Sequence, residues 1–143
     1  MSKLAWVGVL MSFVLLAGSA ARAEDPTPAP TEWQTVISGQ IQAFRDHDAP
    51  GALMYAGEAF HKSYPDPRDF FIAIIQSGYA PIMESRSESF GSYQMIAPDQ
   101  VAQEVKLTGN DQTIYEAIYV LAKEADGWRV HGVQLMKTPG IGI

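Results

Sequence analysis

The sequence contains no cysteine and few basic residues, and both scarcities exclude whole classes of function. Without cysteine there is no disulfide, no thiolate metal ligand and no thiol nucleophile, so stability must come from packing and backbone hydrogen bonds. Lysine and arginine number 10 against 16 acidic residues, which gives a net charge of −6 at pH 7. Because phosphate binding requires clustered cations, this balance argues against nucleic acid and against an anionic membrane surface as partners.

Recognisable catalytic motifs are also lacking. The sequence has no nucleophile elbow, no phosphate-binding loop, no dinucleotide-binding glycine pattern and no helical pair of zinc-binding histidines. We therefore predict no metal and no cofactor, and we favour a binding function over a catalytic one. An acid–base enzyme remains an alternative, because such chemistry requires only a few scattered side chains.

What the sequence does contain begins with an N-terminal export signal. Lys3 precedes an apolar run over residues 4–18, and small residues at positions 21 and 23 match a signal peptidase site. The run is shorter than the roughly 20 apolar residues that a membrane-spanning helix needs. We expect residues 1–23 to be a signal peptide cut between Ala23 and Glu24. The mature protein would then be periplasmic or secreted, without a stable membrane anchor.

The rest of the chain is predicted to form one domain between a tether and a tail. Residues 24–31 are rich in proline and predict an extended linker, residues 32–137 predict a single α+β domain, and residues 138–143 predict a flexible tail. Apolar residues at helical spacing and capping side chains predict three helices. They begin near Thr31, Asp48 and Asp66, where Thr31 would form a capping box with Gln34 and Gly78 would end the third helix.

Beyond Pro81 the hydrophobic period changes from helical to alternating, which predicts four antiparallel strands over residues 85–95, 101–108, 112–124 and 128–137. The predicted fold class is therefore α+β, with three N-terminal helices on a curved antiparallel sheet. The longest strand is apolar on both faces, because Ile114, Ile118 and Val120 alternate with Tyr115, Tyr119 and Leu121. Since helices cover only one face, the other should meet a pocket, a bent part of the sheet or a second subunit.

Short motifs along the chain carry a family resemblance. They are Gln40-x-x-Ala43-Phe44-x-x-x-Asp48, the pair Phe70-Phe71, Gly78-Tyr79-Ala80-Pro81, and Asp126-Gly127-Trp128-Arg129-Val130-x-Gly132. In this order the chain resembles exported bacterial proteins catalogued as domain of unknown function 4864, within the nuclear-transport-factor-two-like superfamily. The resemblance implies a cone-shaped roll with an internal cavity and frequent pairing through the outer sheet face. It supplies no mechanism, because the superfamily contains enzymes, binders and assembly domains. The cysteine expected soon after Gly132 is absent here.

Two titratable residues on the predicted strands are candidates for acid–base chemistry. His131 is expected on the same side as Val133 and Leu135, where it could face a cavity, although a structural role is commoner for such a histidine. Glu116 shares a face with Ile114 and Ile118, so it lies either at an exposed rim or buried with a raised pKa. Only the buried position would suit catalysis.

Aromatic residues form a second set of candidates. Tyr79, Tyr115, Tyr119 and Trp128 could make a wall that contacts a ligand. In an acid–base enzyme, Tyr115 or Tyr119 could serve as the proton donor beside His131 or Glu116. Aromatic stripes are more often ordinary core. The cluster Asp46-His47-Asp48 is better explained as a solvated helix end, and His61 as a surface residue.

These observations leave three hypotheses. The leading one is a non-catalytic module, forming a homodimer through its sheet, that binds a small apolar or amphipathic molecule or another protein. The first alternative is an acid–base enzyme of the isomerase, dehydratase or hydrolase type that uses His131 or Glu116. The second is a structural envelope protein.

Overall fold

The computed structural model describes residues 28–137. The predicted signal peptide, residues 24–27 of the predicted linker and the predicted tail lie outside these residues. No helix within residues 28–137 is long and apolar enough to cross a membrane. The elements run in the order α1 Thr31–Arg45, α2 Ala49–Met54, α3 Glu58–Ser63, α4 Pro67–Ile74, a π-helical turn Ile75–Tyr79, α5 Ala80–Met83, β1 Ser85–Ala97, β2 Gln100–Gly109, β3 Ile114–Glu124 and β4 Gly127–Lys137.

The predicted α+β class is confirmed: short helices precede a four-stranded antiparallel sheet in the order β1-β2-β3-β4. The inner face of the sheet carries Val105, Leu107, Ala117 and Leu121, all buried. Helix α1 covers this face with Trp33, Ile37 and Ile41, which are fully buried. This spacing of four residues places all three side chains on one face of the helix, so the core forms between α1 and the sheet.

The helical region departs from the three predicted helices. Asp48 and Asp66 do cap helices, since their carboxylates accept hydrogen bonds from Gly51 N and Arg68 N, both at 3.0 Å. The capping box at Thr31 is wrong, because α1 already begins at Thr31 and Pro30 occupies the cap position without a side-chain hydrogen bond. At Gly78 the backbone takes a φ of 102°, which glycine tolerates, and the chain kinks there before continuing into α5.

The second predicted helix is divided into α2 and α3 by a contact with the sheet. Val130 N donates to Tyr55 O and Gly57 N donates to Val130 O, both at 2.9 Å. These bonds make a parallel bridge between Ala56 and Val130. The extended backbone at this bridge interrupts the helix and attaches the helical layer to the edge of β4.

Strand β4 contains an irregularity that controls which side chains face inwards. Leu121 pairs with Val130, whereas Val120 pairs with Gly132, so His131 is an extra residue without a partner in β3. Such a bulge reverses the alternation of the strand. Val130 and Val133 therefore both face the helices, although they are three residues apart, because they pair with Leu121 and Tyr119, which share one face.

Candidate functional site

A cavity of about 220 Å³ lies between the helices and the edge of β4. Its walls are mainly apolar side chains of the helices and of the bulged strand, namely Phe44, Phe60, Phe70, Ile74, Ile82, Val130 and Val133. Gln40 and Tyr79 add the only polar side chains to the described lining, and Ala56 and Gly132 complete it. No charged side chain contributes to this lining, so the cavity suits a neutral and largely apolar molecule.

Helical spacing brings the wall residues together. Gln40 and Phe44 lie one turn apart on α1, and Phe70 and Ile74 lie one turn apart on α4. The ring of Phe70 packs edge-to-face with Phe60 at a centroid distance of 5.7 Å, and lies 6.3 Å from the ring of Phe44. These contacts between three helices make an aromatic wall opposite the two valines of β4.

Gln40 is the buried polar group of this cavity, with 4% of its surface exposed. Its Nε2 donates a hydrogen bond of 3.0 Å to Ala52 O in α2. A backbone carbonyl can only accept, so this bond identifies which end of the amide is the nitrogen. No residue within 28–137 donates a hydrogen bond to Gln40 Oε1. The amide therefore retains an acceptor, and its second N–H, for a further partner.

Tyr79 contributes the second polar side chain. Its hydroxyl donates to Val133 O at 2.8 Å, and the residue is half-buried. This bond holds the π-helical turn against the free edge of β4. Of the four aromatic residues predicted to contact a ligand, Tyr79 is the one that lines the cavity.

The other aromatic candidates lie elsewhere. Trp128 packs edge-to-face on Trp33 at 5.3 Å, and its Nε1 donates to Glu32 Oε1 at 3.1 Å. Tyr115 is half-buried beside Pro81 in a separate shallow hollow. Tyr119 is 1% exposed within the core. Burial chiefly, with the nearby Glu88 carboxylate, raises the pKa of Tyr119 above its ordinary value, so the hydroxyl stays neutral.

The histidine and glutamate candidates are also outside the cavity. Because the bulge falls at His131, this residue does not share the inward direction of Val133, and 42% of its side chain is exposed. Its Nε2 lies 2.7 Å from Glu124 Oε2, which also accepts from Glu58 N at 3.2 Å. Glu116 is exposed on the outer sheet face, opposite Lys106.

The other titratable residues considered from the sequence lie at the surface. Asp46, His47 and Asp48 are exposed at the end of α1, and Asp48 caps α2 as expected. His61 is exposed in α3. Among residues 28–137 no group of three His, Cys, Asp or Glu side chains is arranged to hold a metal ion.

Residues 26–143 match the model of a family described as Domain of unknown function (DUF4864). The chain belongs to this family. The match includes every residue that the structure describes, so the cavity lies wholly inside the DUF4864 domain. No curated protein matches the chain.

Two features of this DUF4864 domain were not assigned to the site from sequence. Gln40 occupies the apolar stripe of α1, between Ile37 and Phe44, and a polar residue at such a position indicates a buried hydrogen bond. This signal was available in the sequence. No sequence pattern indicated that the side chains of Val130 and Val133 both point inwards, because this orientation depends on the bulge at His131.

Proposed function

We propose that this domain binds a compact, largely apolar molecule non-covalently in the cavity between the helices and β4. The observation that carries the proposal is the lining itself, in which the rings of Phe44, Phe60 and Phe70 face Val130 and Val133 without any charged side chain. An apolar cavity of about 150 Å³ accommodates benzene. The cavity of about 220 Å³ therefore suits a single substituted ring or a molecule of similar size.

The position of the titratable groups supports binding over acid–base catalysis. A general acid or base must lie within hydrogen-bond reach of the reacting atoms. His131 and Glu116 are absent from the lining, and the hydroxyl of Tyr79 already donates to Val133 O. A molecule held in this cavity would meet no carboxylate and no imidazole among the described residues.

Filling the cavity tests the proposal. Val133→Trp places a large side chain at a half-buried wall position, so we expect it to abolish binding of toluene, measured by titration calorimetry on the purified chain. The control is Val120→Trp. Val120 is a half-buried valine on the opposite face of the sheet, outside the cavity lining.

We expect the unaltered chain and Val120→Trp to bind toluene with similar affinity, while Val133→Trp remains folded by circular dichroism and does not bind. The proposal would be contradicted if the unaltered chain bound neither toluene nor phenol, a second ring molecule of the same size. Equal loss in both variants would also contradict it, because the effect would then not depend on the cavity.

A further inference from the structure

The domain contains two buried glutamines whose hydrogen bonding differs. Gln103 is fully buried, and its Oε1 accepts from Trp33 Nε1 at 2.8 Å and from Gln34 Nε2 at 3.1 Å. Its Nε2 donates to Gly91 O at 3.0 Å. Both ends of this amide are satisfied by the protein, so Gln103 is a structural residue.

Gln40 has only one of these bonds, from Nε2 to Ala52 O. Nearly all buried polar atoms in folded proteins have a hydrogen-bond partner, and those that lack one need an explanation. Gln40 Oε1 receives no hydrogen bond from residues 28–137, and Gln40 is part of the cavity wall. A partner for this oxygen would therefore come from a molecule within the cavity.

We propose that the ligand carries a neutral hydroxyl group that donates a hydrogen bond to Gln40 Oε1. A hydroxyl fits this amide because it both donates to the carbonyl oxygen and accepts from the remaining N–H. The ligand class is then a compact aromatic alcohol of the phenol type, with its ring between Phe44, Phe60 and Phe70. This inference rests on the proposed function and specifies its ligand.

The absence of charge in the described lining separates this class from ionised molecules. A carboxylate or ammonium group in the cavity would be desolvated without a counter-charge, which is strongly unfavourable. A neutral hydroxyl loses less hydration and regains a hydrogen bond at Gln40. The geometry therefore favours neutral phenols over molecules that are ionised at neutral pH, such as aromatic carboxylates and alkylammonium ions.

Phenol and toluene test the inference because they have the same number of non-hydrogen atoms and differ in the hydroxyl. An entirely apolar cavity would prefer toluene, since burial of an unpaired hydroxyl is costly. We expect the unaltered chain to bind phenol at least as tightly as toluene by titration calorimetry. Toluene binding that is tighter than phenol binding would overturn the hydroxyl inference and leave the proposed function intact. Failure of both ligands to bind would overturn both.

Substitution of each glutamine tests whether the preference for phenol over toluene depends on Gln40. We expect Gln40→Leu to weaken phenol binding at least about tenfold, equivalent to about 1.4 kcal/mol, and to leave toluene binding within about threefold. The matched control is Gln103→Leu, which removes an equally buried amide outside the cavity and should leave the phenol-to-toluene ratio unchanged. An unchanged ratio in Gln40→Leu would overturn the assignment. If either variant does not fold, the two ligands on the unaltered chain still decide the question.

Discussion

Tyr119 places a hydroxyl group deep in the core beneath α1. Its side chain is 1% exposed, and no residue within 28–137 forms a hydrogen bond with its hydroxyl. Burial and the neighbouring Glu88 carboxylate favour the neutral form and raise the pKa of Tyr119, while the Arg45 guanidinium acts in the opposite direction. Arg45 and Glu88 pair with each other at 2.7 Å. Tyr119 is thus a core residue whose ring stabilises the fold and whose hydroxyl contributes little.

Tyr119→Phe tests this interpretation. Removal of a buried hydroxyl without a partner is neutral or stabilising, so we expect the free energy of unfolding at pH 7 to stay unchanged or rise by up to about 1 kcal/mol. The folded-state pKa of Tyr119 is raised above its unfolded value near 10. Deprotonation of this tyrosine therefore favours the unfolded state. The free energy of unfolding does not depend on Tyr119 ionisation below about pH 10, and it falls as the pH rises further. Tyr119→Phe should lose less stability than the unaltered chain in that alkaline range.

Urea unfolding between pH 7 and 11 measures both effects. Tyr115→Phe is the control, because Tyr115 lies on the same strand but is only half-buried. A loss of more than about 1 kcal/mol at pH 7 in Tyr119→Phe would show that the hydroxyl has an important partner.

The elements differ in how far the sequence predicts them. Asp48 and Asp66 cap helices because a capping interaction involves residues only two or three apart. Strands β2, β3 and β4 begin and end close to their predicted positions, since alternation and turn residues are also local signals. The apolar stripe of α1 likewise depends on neighbours along one helix.

Interactions between distant segments account for the elements that the sequence did not predict. The break between α2 and α3 results from hydrogen bonds to Val130, more than 70 residues away along the chain. The bulge at His131 results from the register between β3 and β4. A one-residue shift in a strand exchanges its faces, so this bulge directed Val133 into the cavity and left His131 exposed. Of the residues predicted to contact a ligand, only Tyr79 lines the cavity, because the other walls depend on these contacts between distant segments.

At the scale of the whole molecule, the outer sheet face is the surface opposite the cavity. It carries the half-buried Ile118 and the 45%-exposed Met136 around a hollow of about 490 Å³, with Lys106 and Glu116 also lining it. Subunit interfaces combine an apolar centre with a polar rim, so this apolar pair beside charged groups supports a contact between two copies. We propose that the domain forms a homodimer through this face.

Light scattering at micromolar concentration tests this association. We expect a dimer for the unaltered chain and a monomer for Ile118→Glu, because the substitution would bury a carboxylate at the centre of the interface. The control is Ile72→Glu on α4, where 49% of the isoleucine is exposed on the helical side. A monomeric unaltered chain, or equal dissociation of both variants, would refute the proposed interface.

Cleavage of the predicted signal peptide would determine which form of the chain dimerises and binds a ligand. We propose that residues 1–23 direct secretion and are removed between Ala23 and Glu24, since small residues at positions 21 and 23 suit signal peptidase.

Expression in a Gram-negative host should give a periplasmic protein beginning at Glu24, measured by intact-mass spectrometry. Ala23→Arg should retain the precursor mass, because signal peptidase requires a small residue there, whereas Ala29→Arg lies beyond the cut and should be processed normally. A periplasmic protein that keeps residues 1–23 would contradict cleavage, and a processed Ala23→Arg would place the cut at another bond. The family match begins at residue 26, so removal of this segment would leave the whole matched domain intact.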